Sequence, residues 1–119
     1  MRTFLRSAAL AWAGICFAFR TQRHMRYHGV AAVLVCCLGL IVSLNRAEWA
    51  IIMIAIALVM SLELVNTAIE QAVDLASPDI HPLAKAAKDA AAGAVLLAAA
   101  GAVVIGLLIL GPPLWRLIF

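Results

Sequence analysis

Three apolar runs, Val30 to Leu44, Trp49 to Val65 and Ala90 to Leu110, set what this chain can fold into. Each comes close to, or exceeds, the ~20 residues a helix needs to cross a ~30 Å hydrocarbon core. Lipid offers the backbone no hydrogen-bond partner, so a run of this length must satisfy its own amides, and a helix does so. Hydrophobic residues make up 66% of the 119 and charged residues 13%, where a soluble domain carries ~25% charged. The chain therefore reads as a small polytopic membrane protein of one domain, residues 1–119, without an internal repeat or linker. The first run is short and draws in Gly29 and Asn45, which carry no charge. The expected spans are residues 29–45, 49–75 and 83–110.

Lysine and arginine near the span ends set orientation. Arg2, Arg6, Arg20, Arg23, Arg26, Lys85 and Lys88 fall on one side and Arg46 and Arg116 on the other, seven against two. The bias predicts an inside N-terminus, an outside hairpin at Asn45–Glu48, an inside second loop and an outside C-terminus. The net charge of +3 then follows from topology and anionic headgroups, and no nucleic-acid partner is expected. Residues 1–27 carry Phe4, Leu5, Leu10, Trp12, Ile15, Phe17 and Phe19 between arginines, which predicts an amphipathic helix lying on the inner surface. Arg20, Arg23 and Arg26 with His24 and His28 form a basic patch that suits lipid headgroups or nucleotide phosphates. Cys16, Cys36 and Cys37 sit in apolar sequence without metal-ligand spacing and read as small fillers.

The second run turns polar in register. Glu63, Asn66, Glu70 and Asp74 are three, four and four residues apart, and at ~100° per residue they share an arc of roughly 80° on one helix face. Glu70 and Asp74 alone also fit a stripe that solvates a helix leaving the membrane. Glu63 is different, because Ile51 to Leu62 before it carry no charge and Leu64 and Val65 follow it. An ionised side chain at that depth costs ~2.5–3.5 kcal/mol even on the mildest scale, which marks a functional group. Ser77-Pro78-Asp79 and His81-Pro82 break the helix, with Asp79 as the expected cap of the next one and Pro82 in its first turn. Beyond Asp89, small residues such as Gly93, Ala98, Gly101 and Gly106 suit close helix packing, and Gly111-Pro112-Pro113 is expected to end the span, anchored by Trp115 and Arg116.

A polar loop with two lysines between carboxylate-bearing helices can hold a polyphosphate with magnesium. Glu70 can ligate the metal, Lys88 can neutralise a transferring phosphoryl group, and Glu63 can accept the proton of a lipid hydroxyl. No GxxxxGK[ST] or GxGxxG motif names a nucleotide. Two other classes fit the same stripe: a scaffold subunit whose Glu63–Asn66 face glues helices, and an ion-conducting bundle. Neither needs Lys88-Asp89 beside Glu70 and Asp74.

ELVNTAIEQAVDL followed by SPDIHPLAKAAKDAAAGAVL, together with RSAALAWAGI near the start, resembles the bacterial integral-membrane diacylglycerol and undecaprenol kinase family over essentially the whole chain. The resemblance implies an all-α membrane protein, a homotrimeric bundle with one surface helix and three transmembrane helices per subunit and active sites between subunits. It implies a bacterial plasma-membrane enzyme that moves the γ-phosphate of MgATP to a lipid alcohol at a cytoplasmic site. By this resemblance Glu63 is the general base and Asn66 its lipid-side neighbour. Glu70 is a metal ligand, Lys88 and Asp89 contact the nucleotide phosphates, Asp74 braces them, and His81 lies near the nucleotide. The family places a second metal-binding glutamate on the surface helix where this chain has Gln22. An amide oxygen ligates magnesium without charge, so the expectation is either a weakly bound second metal or a site that relies on one ion together with Arg20 or Arg23. The SPDIHPLAK loop and the KDAAAGAVL start of the last span resemble the undecaprenol kinases more than the diacylglycerol kinases, which makes undecaprenol the expected acceptor and diacylglycerol the alternative.

Overall fold

The computed structural model describes residues 3–119, and the described chain is four helices in sequence: α1 Phe4–Thr21, α2 Arg23–Val42, α3 Arg46–Ala76 and α4 Pro82–Ile118. The last three are long and apolar enough to cross a membrane. α3 packs chiefly against α4, with α2 laid along both and α1 touching α2 and α3. The buried apolar core is small for so hydrophobic a chain, built from residues such as Met25, Ile52, Val59, Val95 and Leu110, while Leu40, Ile54, Leu97, Leu107 and many others stay exposed. Apolar faces of that extent suit lipid or neighbouring helices, since a water-soluble monomer rarely exposes large contiguous patches.

The helix junctions explain where the elements begin. Thr3 caps α1 by accepting from the Arg6 amide at 3.2 Å. α1 stops at Thr21 because Gln22 turns extended, at φ −110° and ψ 116°. The Arg26 guanidinium then donates to the carbonyls of Phe19 and Arg20, both at 3.1 Å, and so caps the end of α1 from the first turn of the next helix. The expected surface helix over residues 1–27 is therefore shorter, and Met1 and Arg2 of that segment lie outside the described residues. Arg23, His24 and Arg26 belong to α2 instead. The short apolar run is lengthened to 20 residues from its N-terminal side, through Arg23 to His28, where the sequence suggested Gly29 and Asn45. At this elbow Gly29 lets Phe19 of α1 pack closely against α2: a Cβ there would lie 2.9 Å from Cε1 of Phe19, and the ring would have to shift.

The α2–α3 hairpin is tight. Ser43 adopts a left-handed conformation with φ 57°, and Asn45 and Glu48 form a reciprocal capping box at 2.8 and 3.0 Å that starts α3 at Arg46. Trp49 lies over Gly39, where a Cβ would come within 2.7 Å of its Cη2. Two further expectations are corrected. His81 rather than Asp79 caps α4, its Nδ1 accepting from the Leu83 amide at 3.1 Å, since Asp79 lies too far ahead of Pro82 to reach the helix's free amides. Gly111-Pro112-Pro113 does not end α4, which runs on to Ile118. Each proline removes one helical donor, but the turn beyond holds through the Phe119 amide on the Trp115 carbonyl at 2.9 Å and the contact of those two rings, 4.4 Å apart.

Candidate active site

α3 carries the polar stripe down its inner face. Glu63 is 3% exposed, and Asn66 and Thr67 beside it are also buried. The Thr67 hydroxyl returns to the Glu63 carbonyl at 2.9 Å, which leaves the Glu63 carboxylate free for other partners. One of these is His28 of α2, whose Nε2 lies 3.6 Å from Oε2 of Glu63. One helical turn on, Asn66 donates through Nδ2 to Oε1 of Glu70 at 3.4 Å. Its own Oδ1 is buried without a partner, and a buried acceptor left so costs ~1–3 kcal/mol.

The charged end of the site lies where α3 meets α4. Lys88 reaches back from α4 to Asp74 of α3. Asp89 pairs with Lys85 on the outer face of α4, so the two members of the expected Lys88-Asp89 phosphate pair hold different partners. His81 is exposed with its Nδ1 committed to capping α4. Arg20 closes α1 with an exposed side chain, and Gln22 sits half-buried at the elbow. Among the described residues no side-chain hydrogen bond ties either to Glu70, and no group of three or more His, Cys, Asp or Glu side chains gathers as a metal cage.

Between α2, α3 and α4 runs an apolar cavity of about 430 Å³, bounded by Ala31, Val35, Val59, Met60, Val103 and others as far as Leu114, and among the described residues His28 is the one titratable group in its wall. The imidazole thus stands between the greasy cavity and the Glu63 carboxylate. The sequence placed His28 and Arg26 only in a basic surface patch and gave no sign of Thr67. A histidine at the threshold of an apolar run was the available signal.

A family profile described as prokaryotic diacylglycerol kinase matches residues 9–110. The chain belongs to this family. It is 48% identical over 114 residues to an undecaprenol kinase of Bacillus subtilis (strain 168), covering 96% of this chain and 93% of that relative. A diacylglycerol kinase of Synechocystis sp. is 48% identical over 108 residues, covering 90% of this chain and 62% of the relative. A diacylglycerol kinase of Escherichia coli (strain K12) is 30% identical over 100 residues, covering 84% and 82% respectively. As a member of the prokaryotic diacylglycerol kinase family this chain is a lipid kinase embedded in a membrane, with ATP as phosphoryl donor. Membership of a kinase family displaces the scaffold and ion-conducting readings.

Proposed function

We propose that this chain is an undecaprenol kinase, acting as a homotrimer in the bacterial plasma membrane with its N-terminus and active site on the cytoplasmic side. The observation that carries the reading is the buried Glu63 carboxylate, set between the end of an apolar cavity and, farther along the same helix, the charged group of Glu70, Asp74 and Lys88. A prenyl tail lies along the cavity and brings its terminal hydroxyl to Glu63 and the orphaned oxygen of Asn66. The hydroxyl proton passes to Glu63 while the alcohol oxygen bonds to the γ-phosphorus, and the bond to the β-phosphate oxygen breaks to release ADP. Lys88 offsets charge on the phosphates, with Asp74 holding its ammonium in place. Asp89, His81 and Arg20 border the nucleotide. Positioning and fixed charge supply the catalysis, as in phosphoryl transfer generally.

Glu70 and Gln22 are the residues that would hold magnesium. Glu70 is half-buried and its Oε1 already accepts from Asn66, so one carboxylate edge remains. That donor set fits magnesium, which keeps waters and takes one or two carboxylates plus substrate phosphates. When bound, the ion screens the β- and γ-phosphate oxygens. The seven-to-two bias of basic residues supports the orientation, and the exposed apolar faces support assembly with further copies.

The similarity to the B. subtilis enzyme over nearly its whole length favours undecaprenol. Diacylglycerol is the second reading, supported by the names of the Synechocystis and E. coli relatives. Purified protein in mixed micelles with radiolabelled ATP, magnesium and either lipid decides between them. Label is expected in undecaprenyl phosphate. Label in phosphatidic acid alone transfers the assignment to diacylglycerol, and label in neither, from folded protein, ends the proposal.

A further inference from the structure

Glu63 can act as a base once per turnover only if it is then emptied. Its carboxylate is 3% exposed, so the proton it takes from the lipid hydroxyl has no direct path to water. Among the described residues His28 is the only Lys, Arg or His with a side-chain nitrogen within 4.0 Å of that carboxylate, at 3.6 Å from Nε2 to Oε2, and its side chain is 23% exposed. That separation lies just beyond hydrogen-bond range, and catalytic contacts of this kind are often long before substrate binds and tighten in the complex.

The surroundings of the imidazole point the same way. From α3, Glu63 faces it as the only carboxylate within ion-pair range. The cavity wall supplied by α2, α3 and α4 next to it is made of residues such as Ala31, Ala32, Met60 and Ala99, with no second titratable group. On α1, Phe19 packs at Gly29, the next residue along α2, and adds no charge there. His24 and Arg26 share α2 with His28, but His24 stacks near Tyr27 and Arg26 is committed to the carbonyls that end α1. An imidazole is suited to this place, because one ring nitrogen can take up a proton and the ring can pass it on to another acceptor.

We propose that His28 is the positioning and relay residue of the base: it aims the Glu63 carboxylate and, after each transfer, takes the proton from it and passes it to water. In balance, the lipid O–H bond breaks and the proton goes to Glu63 Oε2. The alkoxide oxygen gains the γ-phosphoryl group of the nucleoside triphosphate as ADP leaves. The proton then moves from Glu63 to neutral His28 Nε2 and out to solvent, which restores both groups. His28 borders the lipid's cavity but need not touch the reacting hydroxyl or the nucleotide. The proposal rests on the lipid-kinase reading above.

The test is chemical rescue. His28→Ala leaves a gap beside Glu63, and His28→Gln fills it with a group that cannot carry a proton. Both variants are expected to lose ~100-fold in kcat, the lower end of what a positioned proton-transfer group contributes, with KM for ATP within about twofold of wild type. Added imidazole should restore much of the rate to His28→Ala and none to His28→Gln, and substituted imidazoles of differing basicity should restore it to graded extents. Wild-type turnover with unimpaired His28→Ala, or with an Ala variant whose loss no imidazole relieves, overturns the relay and leaves the kinase assignment standing. No turnover by the wild-type protein on either lipid removes the kinase assignment and the relay together.

Discussion

Lys88, on the first turns of α4, closes an ion pair on Asp74 near the end of α3. The pair straddles the break at 77–81 and links the two helices at this end. Its side chains are 39% and 60% exposed, so its worth lies less in stability than in where it holds the ammonium.

If Asp74 serves Lys88, the two must not act independently. Lys88→Ala is expected to lower kcat/KM for ATP by ~10–100-fold, the range for a lost charge-assisted hydrogen bond to phosphate. Asp74→Asn should lose less, and the double variant no more than Lys88→Ala alone. A steady-state mutant cycle measures this, and additive losses would separate the two roles.

Glu63→Gln keeps the shape of the buried side chain and removes its proton affinity. Turnover should drop by ~10²–10⁴-fold, the usual contribution of a general base, while equilibrium binding of a non-hydrolysable ATP analogue stays unchanged. Weakened analogue binding instead would assign Glu63 to the nucleotide.

At the elbow between α1 and α2, Gln22→Glu adds a charged oxygen where the neutral amide now sits. The magnesium concentration for half-maximal activity should fall. An unchanged titration would place this side chain outside the metal's reach.

Gly39→Ala probes the hairpin. Its new methyl would meet Trp49 at 2.7 Å and Leu44 at 2.9 Å, and overpacking of this kind costs ~1–3 kcal/mol. Equilibrium unfolding in mixed micelles should show that loss, and Trp49→Leu in the same background should recover part of it. An Ala variant as stable as wild type would show that the ring moves aside freely.

The three spans and the polar face of α3 were legible because each follows from one periodicity: a long apolar run, or a polar repeat at helical spacing. The junctions were not. That the chain breaks at Gln22 depends on Arg26 folding back onto the carbonyls of Phe19 and Arg20, a contact between turns that no local propensity encodes. That His81 caps α4 in place of Asp79 turns on which side chain can reach the Leu83 amide once Pro82 opens the helix. α4 outlasting Pro112 and Pro113 shows tertiary and terminal contacts overriding a strong breaker. In the site, Glu63, Asn66 and Glu70 could be grouped from spacing alone, but the approach of His28 could not, since it requires the crossing of α2 over α3.

The two prolines in α4 also act as a depth gauge. They deprive the carbonyls of Leu108 and Ile109 of their helical donors; if water rather than a neighbouring helix satisfies those groups, that level is the far edge of the oil. Counting back ~30 Å at ~1.5 Å per residue arrives about twenty positions earlier, at Lys88 and Asp89. The same rule applied from the capping box at Asn45 along α3 ends near Asn66. On that count Glu63, the proposed base, would lie about one turn inside the near edge reached on α3, and Lys88 at the near edge reached on α4.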